Sequence, residues 1–143
     1  MDISVVLPCL NESETLSTCI KKANNQIKKL GIKGEIIIAD NGSDDGSIKI
    51  AKKLGATVIN VKNKGYGNVL RAGIRKARGK FILIADSDDS YNLNDLPKFY
   101  KKITKGYDIV QGCRLPKGGG KITSGAMPIT HRYIGNPLFS FLT

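Results

Sequence analysis

The chain has 143 residues, which is enough for one domain with a hydrophobic core of its own. It carries 23 Lys and Arg against 12 Asp and Glu, a net charge of +11. Its candidate partners are therefore nucleic acid, an anionic lipid surface or a phosphorylated ligand, unless the lysines only form solvated helix faces. The three cysteines are widely spaced, which argues against a disulfide framework and a zinc site. The sequence shows no secretory leader, and the lack of an apolar run of roughly 20 residues argues against a membrane span. Together these features predict a cytoplasmic setting.

Short apolar runs rich in Val and Ile alternate with helical periods along the chain. The runs predict β-strands covered on both faces, at 3–8, 35–40, 57–61, 80–86 and 108–112. Apolar residues three and four positions apart predict helices at 16–30, 70–77 and 96–103. Asn11 with Glu14 predicts a cap for the first helix, and Ser43 or Asp44 a cap for another after the second strand. This order predicts an α/β fold, a mostly parallel sheet with helices on both faces.

The polar clusters follow the predicted strands. They occupy residues 11–12, 40–45, 62–68 and 86–89, directly after the first four strands. Parallel sheets bind their ligands beyond the carboxyl ends of the strands. The sequence therefore predicts that four loops bring polar groups to one crevice.

Three of the acidic residues, Asp86, Asp88 and Asp89, end the fourth strand. They could complement the dipole of the next helix, but that helix is predicted to start only at Asn94 or Asp95. Crowded carboxylates repel one another unless they share a cation, and such hard oxygen ligands suit Mg²⁺ or Mn²⁺ bound together with substrate phosphates. The sharper prediction is a divalent metal ion that holds a diphosphate.

Two other loops offer polar groups to the same crevice. Asp40 and Asn41 in ADNGSDDGS either form an Asx turn before a helix or bind the edge of a nucleobase, and the two roles are compatible. Glu12 either supports the start of the first helix or, with Asn11 and Pro8, forms a rigid polar rim beside Asp40. Both loops are candidates for a nucleoside pocket.

Two later segments complete the candidate site. The segment 64–73 contains three glycines, Gly67 among them, that allow a helix and a ligand to approach closely, but it is not the GxGxxG fingerprint of an NAD-binding fold. Arg114 and Arg132 flank a Gly-rich loop and are either surface arginines or a grip for a second phosphate.

Five motifs follow one another along the chain: PCLNE, ADNGSDDGS, the glycine segment, DSD at 86–88 and GCR at 112–114. In this order they resemble the family 2 glycosyltransferases of GT-A fold. Within them the sequence resembles the dolichyl- and undecaprenyl-phosphate mannose and glucose synthases, over essentially the whole chain. The resemblance implies a three-layer, Rossmann-like core that binds a nucleotide sugar at 1–113. An acceptor loop and the start of a membrane-proximal helical segment would follow at 114–143. Further C-terminal segments are then expected to hold the protein at the cytoplasmic face of a membrane.

The resemblance also implies roles for individual residues. In that family, the residues that line the nucleoside pocket match Pro8, Glu12, Asp40 and Asn41. The polar rim adds Asn11 to this pocket, and the glycine segment adds Gly67. Its metal-binding DXD motif matches Asp86 and Asp88. Its acceptor-phosphate site matches Arg114, Arg132 and Asn136. Relatives often carry Asp at position 41, so Asn41 leaves the preferred base open.

The predicted reaction is the inverting, metal-dependent transfer of a hexose from a nucleotide sugar of the UDP-glucose or GDP-mannose type to a polyprenyl phosphate, next to an anionic membrane surface. An acceptor phosphate is largely ionised at neutral pH, so no general base is needed. The expected catalytic groups are Asp86 and Asp88, which hold the metal, and Arg114 and Arg132, which hold the nucleophile. A soluble glycosyltransferase that acts on a glycan hydroxyl is the rival enzyme. A basic nucleic-acid-binding domain explains the charge but not the carboxylates.

Overall fold

The structure is a computed structural model that describes residues 1–113. The strands in this part are β1 (Ile3–Cys9), β2 (Gly34–Asp40), β3 (Thr57–Asn60) and β4 (Phe81–Ile84). The helices are α1 (Leu16–Leu30), α2 (Ser47–Lys53), α3 (Tyr66–Lys76) and α4 (Leu96–Ile103), with a 3-10 turn at Leu93–Asp95. Residues Met1–Asp108 form one compact unit, and 109–113 belong to a second, Ile109–Thr143. The division into a core at 1–113 and an acceptor segment at 114–143 stays a prediction.

The four strands form one sheet in the order β3-β2-β1-β4, and every pair is parallel, which confirms the predicted α/β fold. The chain moves outward from β1 through β2 to β3 and then returns to β4 on the other side of β1. The direction of winding therefore reverses between β1 and β4. In open parallel sheets, a reversal of this kind opens a crevice beyond the carboxyl ends of the two strands, where ligands bind.

The reversal also places helices on both faces of the sheet. Val5 and Leu7 of β1 belong to the same buried cluster as Leu16 of α1, and α2 and α4 contact α1. Val6 points to the opposite face, where it lies against Gly73 of α3. Every residue of β1 is buried, as expected for a central strand whose sequence is mostly apolar.

The outer strand β4 departs from the predicted burial on both faces. β4 ends at Ile84, two residues before the predicted end, and Ile82 and Ile84 are 40% and 43% exposed. Ile84 pairs with Val6 of β1, so Ile82 and Ile84 lie on the face of the sheet that carries α3. However, α3 packs on β1 and β2 and leaves these two side chains exposed. Phe81 and Leu83 pack against the core on the other face. Within residues 1–113 this outer strand is thus covered on one face only.

The predicted strand at 108–112 is wrong. These residues form no strand in the structure, and all but Val110 are exposed. The segment has only two adjacent apolar residues between Asp108 and Gln111, and Ile109 is 82% exposed. A strand needs hydrogen-bonded neighbours and a buried face, and this segment has neither among the described residues.

None of the helices within residues 1–113 is long and apolar enough to cross a membrane.

Candidate active site

Hydrogen bonds join the loop after β1 to the loop after β2. The Asn11 amide donates to Ser43 Oγ at 2.9 Å, and the Asp44 amide donates to Asn11 Oδ1 at 3.0 Å. The Glu12 amide donates to Ser47 Oγ at 3.0 Å. Asn11 has a φ of 58°, a conformation that Asn tolerates better than most residues. The two loops thus form one rigid rim at the carboxyl edge of the sheet.

This use of Asn11 and Ser43 explains why the predicted helix caps are wrong. The N-cap of α1 is Thr15 rather than Asn11, and the N-cap of α2 is Gly46 rather than Ser43 or Asp44. The side chains expected at the helix ends bind the neighbouring loop instead.

The start of α2 is held by Asp45. Its carboxylate accepts hydrogen bonds from the Ser47 hydroxyl at 2.6 Å and the Ser47 amide at 3.0 Å, and also one from the Ser13 amide at 2.8 Å. The two bonds from Ser47 and the one from Ser13 outweigh desolvation and hold the pKa of Asp45 far below its ordinary value of 3.8. Asp45 therefore stays ionised at neutral pH and keeps the rim fixed.

Asp40 forms the expected Asx turn. Its side chain is fully buried, and its carboxylate accepts hydrogen bonds from the amides of Gly42 at 2.8 Å and Ser43 at 3.1 Å. These bonds fix the course of the loop as it leaves β2. A contact between Asp40 and a nucleobase stays a prediction.

Asn41 connects the loop after β2 to the loop after β3. Its Nδ2 donates to the carbonyl oxygens of Val61 at 2.9 Å and Asn63 at 3.2 Å, and its Oδ1 accepts from the Gly65 amide at 3.0 Å. The Lys64 ammonium donates to the Asn41 carbonyl. The Asn41 side chain is 7% exposed, so its observed role is to position residues 61–65.

The segment after β4 is anchored through Ser87, the residue between Asp86 and Asp88. Ser87 is 2% exposed, and its hydroxyl donates to the Pro8 carbonyl at 2.6 Å, across the point where the winding reverses. The Thr15 hydroxyl in turn donates to the Ser87 carbonyl at 2.8 Å. Asp86 and Asp88 are thereby held beside the end of β1.

The three clustered acids have different surroundings. Asp89 forms an ion pair with Lys22 of α1 at 2.8 Å, so this third carboxylate binds the body of the domain. Asp86 is half-buried, and Asp88 is exposed with Oδ1 accepting from the Ser90 amide at 2.9 Å. The cluster therefore divides into one structural acid and two that lie at the carboxyl edge.

Tyr66 contacts the candidate site, and sequence reasoning missed it. Its hydroxyl donates to Asp86 Oδ1 at 2.8 Å, and desolvation together with this hydrogen bond raises the pKa of Tyr66 to about 12. The only signal in the sequence is its place between Gly65 and Gly67 at the start of α3. Gly67 itself is exposed, with open space where a side chain would begin.

The pair Asp86 and Asp88 fits a hard divalent cation by its chemistry. Residues 1–113 contain no cluster of three or more His, Cys, Asp or Glu side chains able to hold a metal ion by themselves. Mg²⁺ in particular is commonly held by one or two carboxylates, with phosphates and water as the other ligands. Two carboxylates on an anchored loop match that pattern. Arg114, Arg132 and Asn136 lie outside the described residues.

Comparison with known proteins defines the family. Residues 4–137 match the model of Glycosyl transferase family 2. The chain belongs to this family of glycosyltransferases. It is 36% identical over 139 residues to the low-salt glycan biosynthesis hexosyltransferase Agl6 of Haloferax volcanii, which is 96% of this chain and 33% of that protein. It is 33% identical over 117 residues to the dolichyl-phosphate hexose transferase of the same organism, or 82% of this chain and 50% of that protein.

Solved structures agree with the fold of this family 2 domain. Glucosyl-3-phosphoglycerate synthase from Mycobacterium tuberculosis, in complex with Mn²⁺, UDP and glucosyl-3-phosphoglycerate, superimposes with a TM-score of 0.64 at 27% identity. The match covers 73% of this chain and 40% of that one. The chain thus spans about a third to a half of the length of these relatives.

Proposed function

We propose that this family 2 domain transfers a hexose from a nucleotide diphosphate sugar to a polyprenyl phosphate, with inversion at the anomeric carbon. The observation that carries the proposal is the Ser87–Pro8 hydrogen bond, which holds Asp86 and Asp88 at the reversal of winding between β1 and β4. Parallel sheets bind ligands at this point. A relative named dolichyl-phosphate hexose transferase supports the acceptor class.

The donor half of the proposal rests on the rim and the DXD pair. Pro8, Asn11, Glu12, Asp40 and Asn41 are assigned to the nucleoside pocket, together with Gly67. Asp40 and Asn41 shape this pocket through the turn and the loop that they hold. A related synthase crystallised with Mn²⁺ and UDP supports the use of a nucleoside diphosphate and a divalent metal.

Asp86 and Asp88 would hold Mg²⁺ or Mn²⁺ against the donor diphosphate. When bound, the metal neutralises charge that develops on the leaving diphosphate. Tyr66 donates a hydrogen bond to Asp86 Oδ1 and so fixes the orientation of this carboxylate before the ligand arrives. The Ser90 amide does the same for Asp88. The chain thereby pre-organises both carboxylates, which lowers the cost of ordering them on binding.

The acceptor half rests on Arg114, Arg132 and Asn136. A phosphate oxygen of the acceptor attacks the anomeric carbon and forms a new C–O bond as the C–O bond to the donor diphosphate breaks. The nucleoside diphosphate leaves with the electron pair, and no proton has to move because the acceptor is already ionised at neutral pH. Guanidinium groups hold phosphate oxygens in a fixed fork geometry, which suits Arg114 and Arg132 to this task. We place the reaction at the cytoplasmic face of a membrane, where such an acceptor resides.

A donor screen tests the first half of the proposal. With Mn²⁺ present, either UDP or GDP is expected to raise the melting temperature of the chain, because a ligand that binds only the folded state stabilises it. At a ligand concentration of about 100 Kd the gain is about 2.7 kcal/mol. Addition of EDTA should abolish it, since the two carboxylates repel a bare diphosphate. A nucleotide effect that is equally large in EDTA contradicts the metal assignment.

A further inference from the structure

A basic groove lies between β3 and α3, outside the residues assigned to the donor and acceptor. It has a volume of about 590 Å³, and its cationic walls are formed by Lys62, Arg71 and Arg75. Three asparagines, Asn60, Asn63 and Asn68, also line it. None of the assigned donor residues lines this groove.

The charges of the groove have no neutralising partner in the described part of the chain. No acidic residue lines it, and none of its three cations forms an ion pair within residues 1–113. Arg71 and Arg75 are four residues apart on α3, so they lie on the same helix face, where like charges repel each other. By contrast, Arg78, just beyond the helix, is paired with Glu35 at 2.8 Å. An anion in the groove would relieve the repulsion.

Part of the lining of the groove is apolar. Ala39 of β2 faces α3, because its Cβ atom lies 3.6 Å from the place of a Cβ atom built at Gly73. Ile59 pairs in register with Ala39 and therefore faces the same side of the sheet. Ala72 of α3 also lines the groove, and both residues are half-buried. The lining thus combines two arginines with a small apolar surface, which suits a phosphate ester that has a carbon-bearing part.

We propose that the groove between β3 and α3 is a second phosphate-binding site, which takes a phosphate mono- or diester through Arg71, Arg75 and Lys62. The phosphate can come from the headgroup of an anionic lipid or from a soluble phosphate ester. Guanidinium groups bind phosphate oxygens through paired, charge-assisted hydrogen bonds, more strongly than neutral donors do. The site is independent of the proposed transfer reaction, since it shares no assigned residue with it.

The test compares two double variants with the same loss of charge. Arg71→Gln/Arg75→Gln removes the two guanidinium groups of the groove, and Lys52→Gln/Lys53→Gln removes two exposed charges from the last turn of α2. Inorganic phosphate is titrated into each protein at constant ionic strength with chloride as the balancing anion. Chemical shifts of the backbone amides of β3 and α3 are followed by NMR.

Saturable shifts of the groove amides are expected in the wild type and in the α2 variant. Binding should be at least about tenfold weaker in the α3 variant, because the neutral glutamine amides cannot form the charge-assisted hydrogen bonds that guanidinium groups form with phosphate. Absence of saturation in the wild type, or equal weakening in both variants, overturns the proposal.

Vesicles distinguish the two phosphate sources. Vesicles of phosphatidylcholine with phosphatidylglycerol should bind the α3 variant less than the α2 variant if the ligand is a lipid headgroup. Equal vesicle binding, with the difference for inorganic phosphate retained, assigns the groove to a soluble phosphate ester. If duplex DNA binds to the groove more tightly than the vesicles and inorganic phosphate do, the groove is a nucleic-acid-binding surface and the proposal is overturned. The metal-dependent effect of UDP or GDP should be the same in both variants, which separates this test from the donor screen.

Discussion

Replacement of Gly73 by Ala should destabilise the domain by up to about 2 kcal/mol, because overpacking a well-packed core costs about 1–3 kcal/mol and the higher helix propensity of Ala returns about 1 kcal/mol. A Cβ atom at Gly73 would lie 2.3 Å from Val6 Cγ1. Val6 is fully buried in the central strand, and a β-branched side chain has little freedom to move away. Urea denaturation of the two proteins measures the difference.

Gly67→Ala is the matched control in the same helix. A Cβ atom there meets nothing within 4 Å, and Gly67 does not have a positive φ. This variant should be as stable as the wild type or more stable, by up to about 1 kcal/mol. If Gly73→Ala proves as stable as Gly67→Ala, α3 does not pack on β1 as closely as described.

Replacement of Asp86 or Asp88 by Asn should weaken metal-dependent binding of a nucleoside diphosphate by at least about a hundredfold. Loss of residues that only support metal ligands costs about 10–100-fold in metal affinity, and a direct ligand should cost at least as much. The amide keeps the size of the side chain but removes the negative charge. Calorimetric titration with UDP and with GDP, each in the presence of Mn²⁺, measures the effect.

Asp89→Asn provides the control for charge in the same loop. Asp89 forms an ion pair with Lys22, so its loss should lower stability while nucleotide affinity stays within about twofold of the wild type. An equal loss of affinity in all three variants would show that the overall charge of the loop, and not the DXD pair, governs binding.

Much of the fold follows from local sequence patterns. The runs rich in Val and Ile that became β1 and β2 are short and mostly apolar, and such strands need cover on both faces. The alternation with helices then requires parallel pairing and brings the strand ends to one edge. The places of the four polar loops, with Asp86 and Asp88 at the end of β4, could therefore be predicted.

The errors concern contacts between residues far apart in the chain. Asn11 and Ser43 have the composition of helix caps, but 32 residues separate them and they hydrogen-bond across two loops instead. The bond between Tyr66 and Asp86 spans 20 residues and has no periodic signature. Residues 108–112 have the composition of a short strand, yet strand formation depends on a neighbour that local sequence does not reveal. Arg114 and Arg132 were assigned by resemblance alone.

The most direct test of the proposed function follows the sugar itself. The chain is incubated with a radiolabelled UDP- or GDP-hexose, Mn²⁺ and a polyprenyl phosphate in detergent, and the mixture is extracted with organic solvent. The proposal predicts metal-dependent transfer of label to the organic phase, as a glycosyl phosphate that mild acid releases as free hexose. Label that stays in the aqueous phase, as unchanged donor or as a soluble glycan, would contradict the assignment of a polyprenyl phosphate as the acceptor.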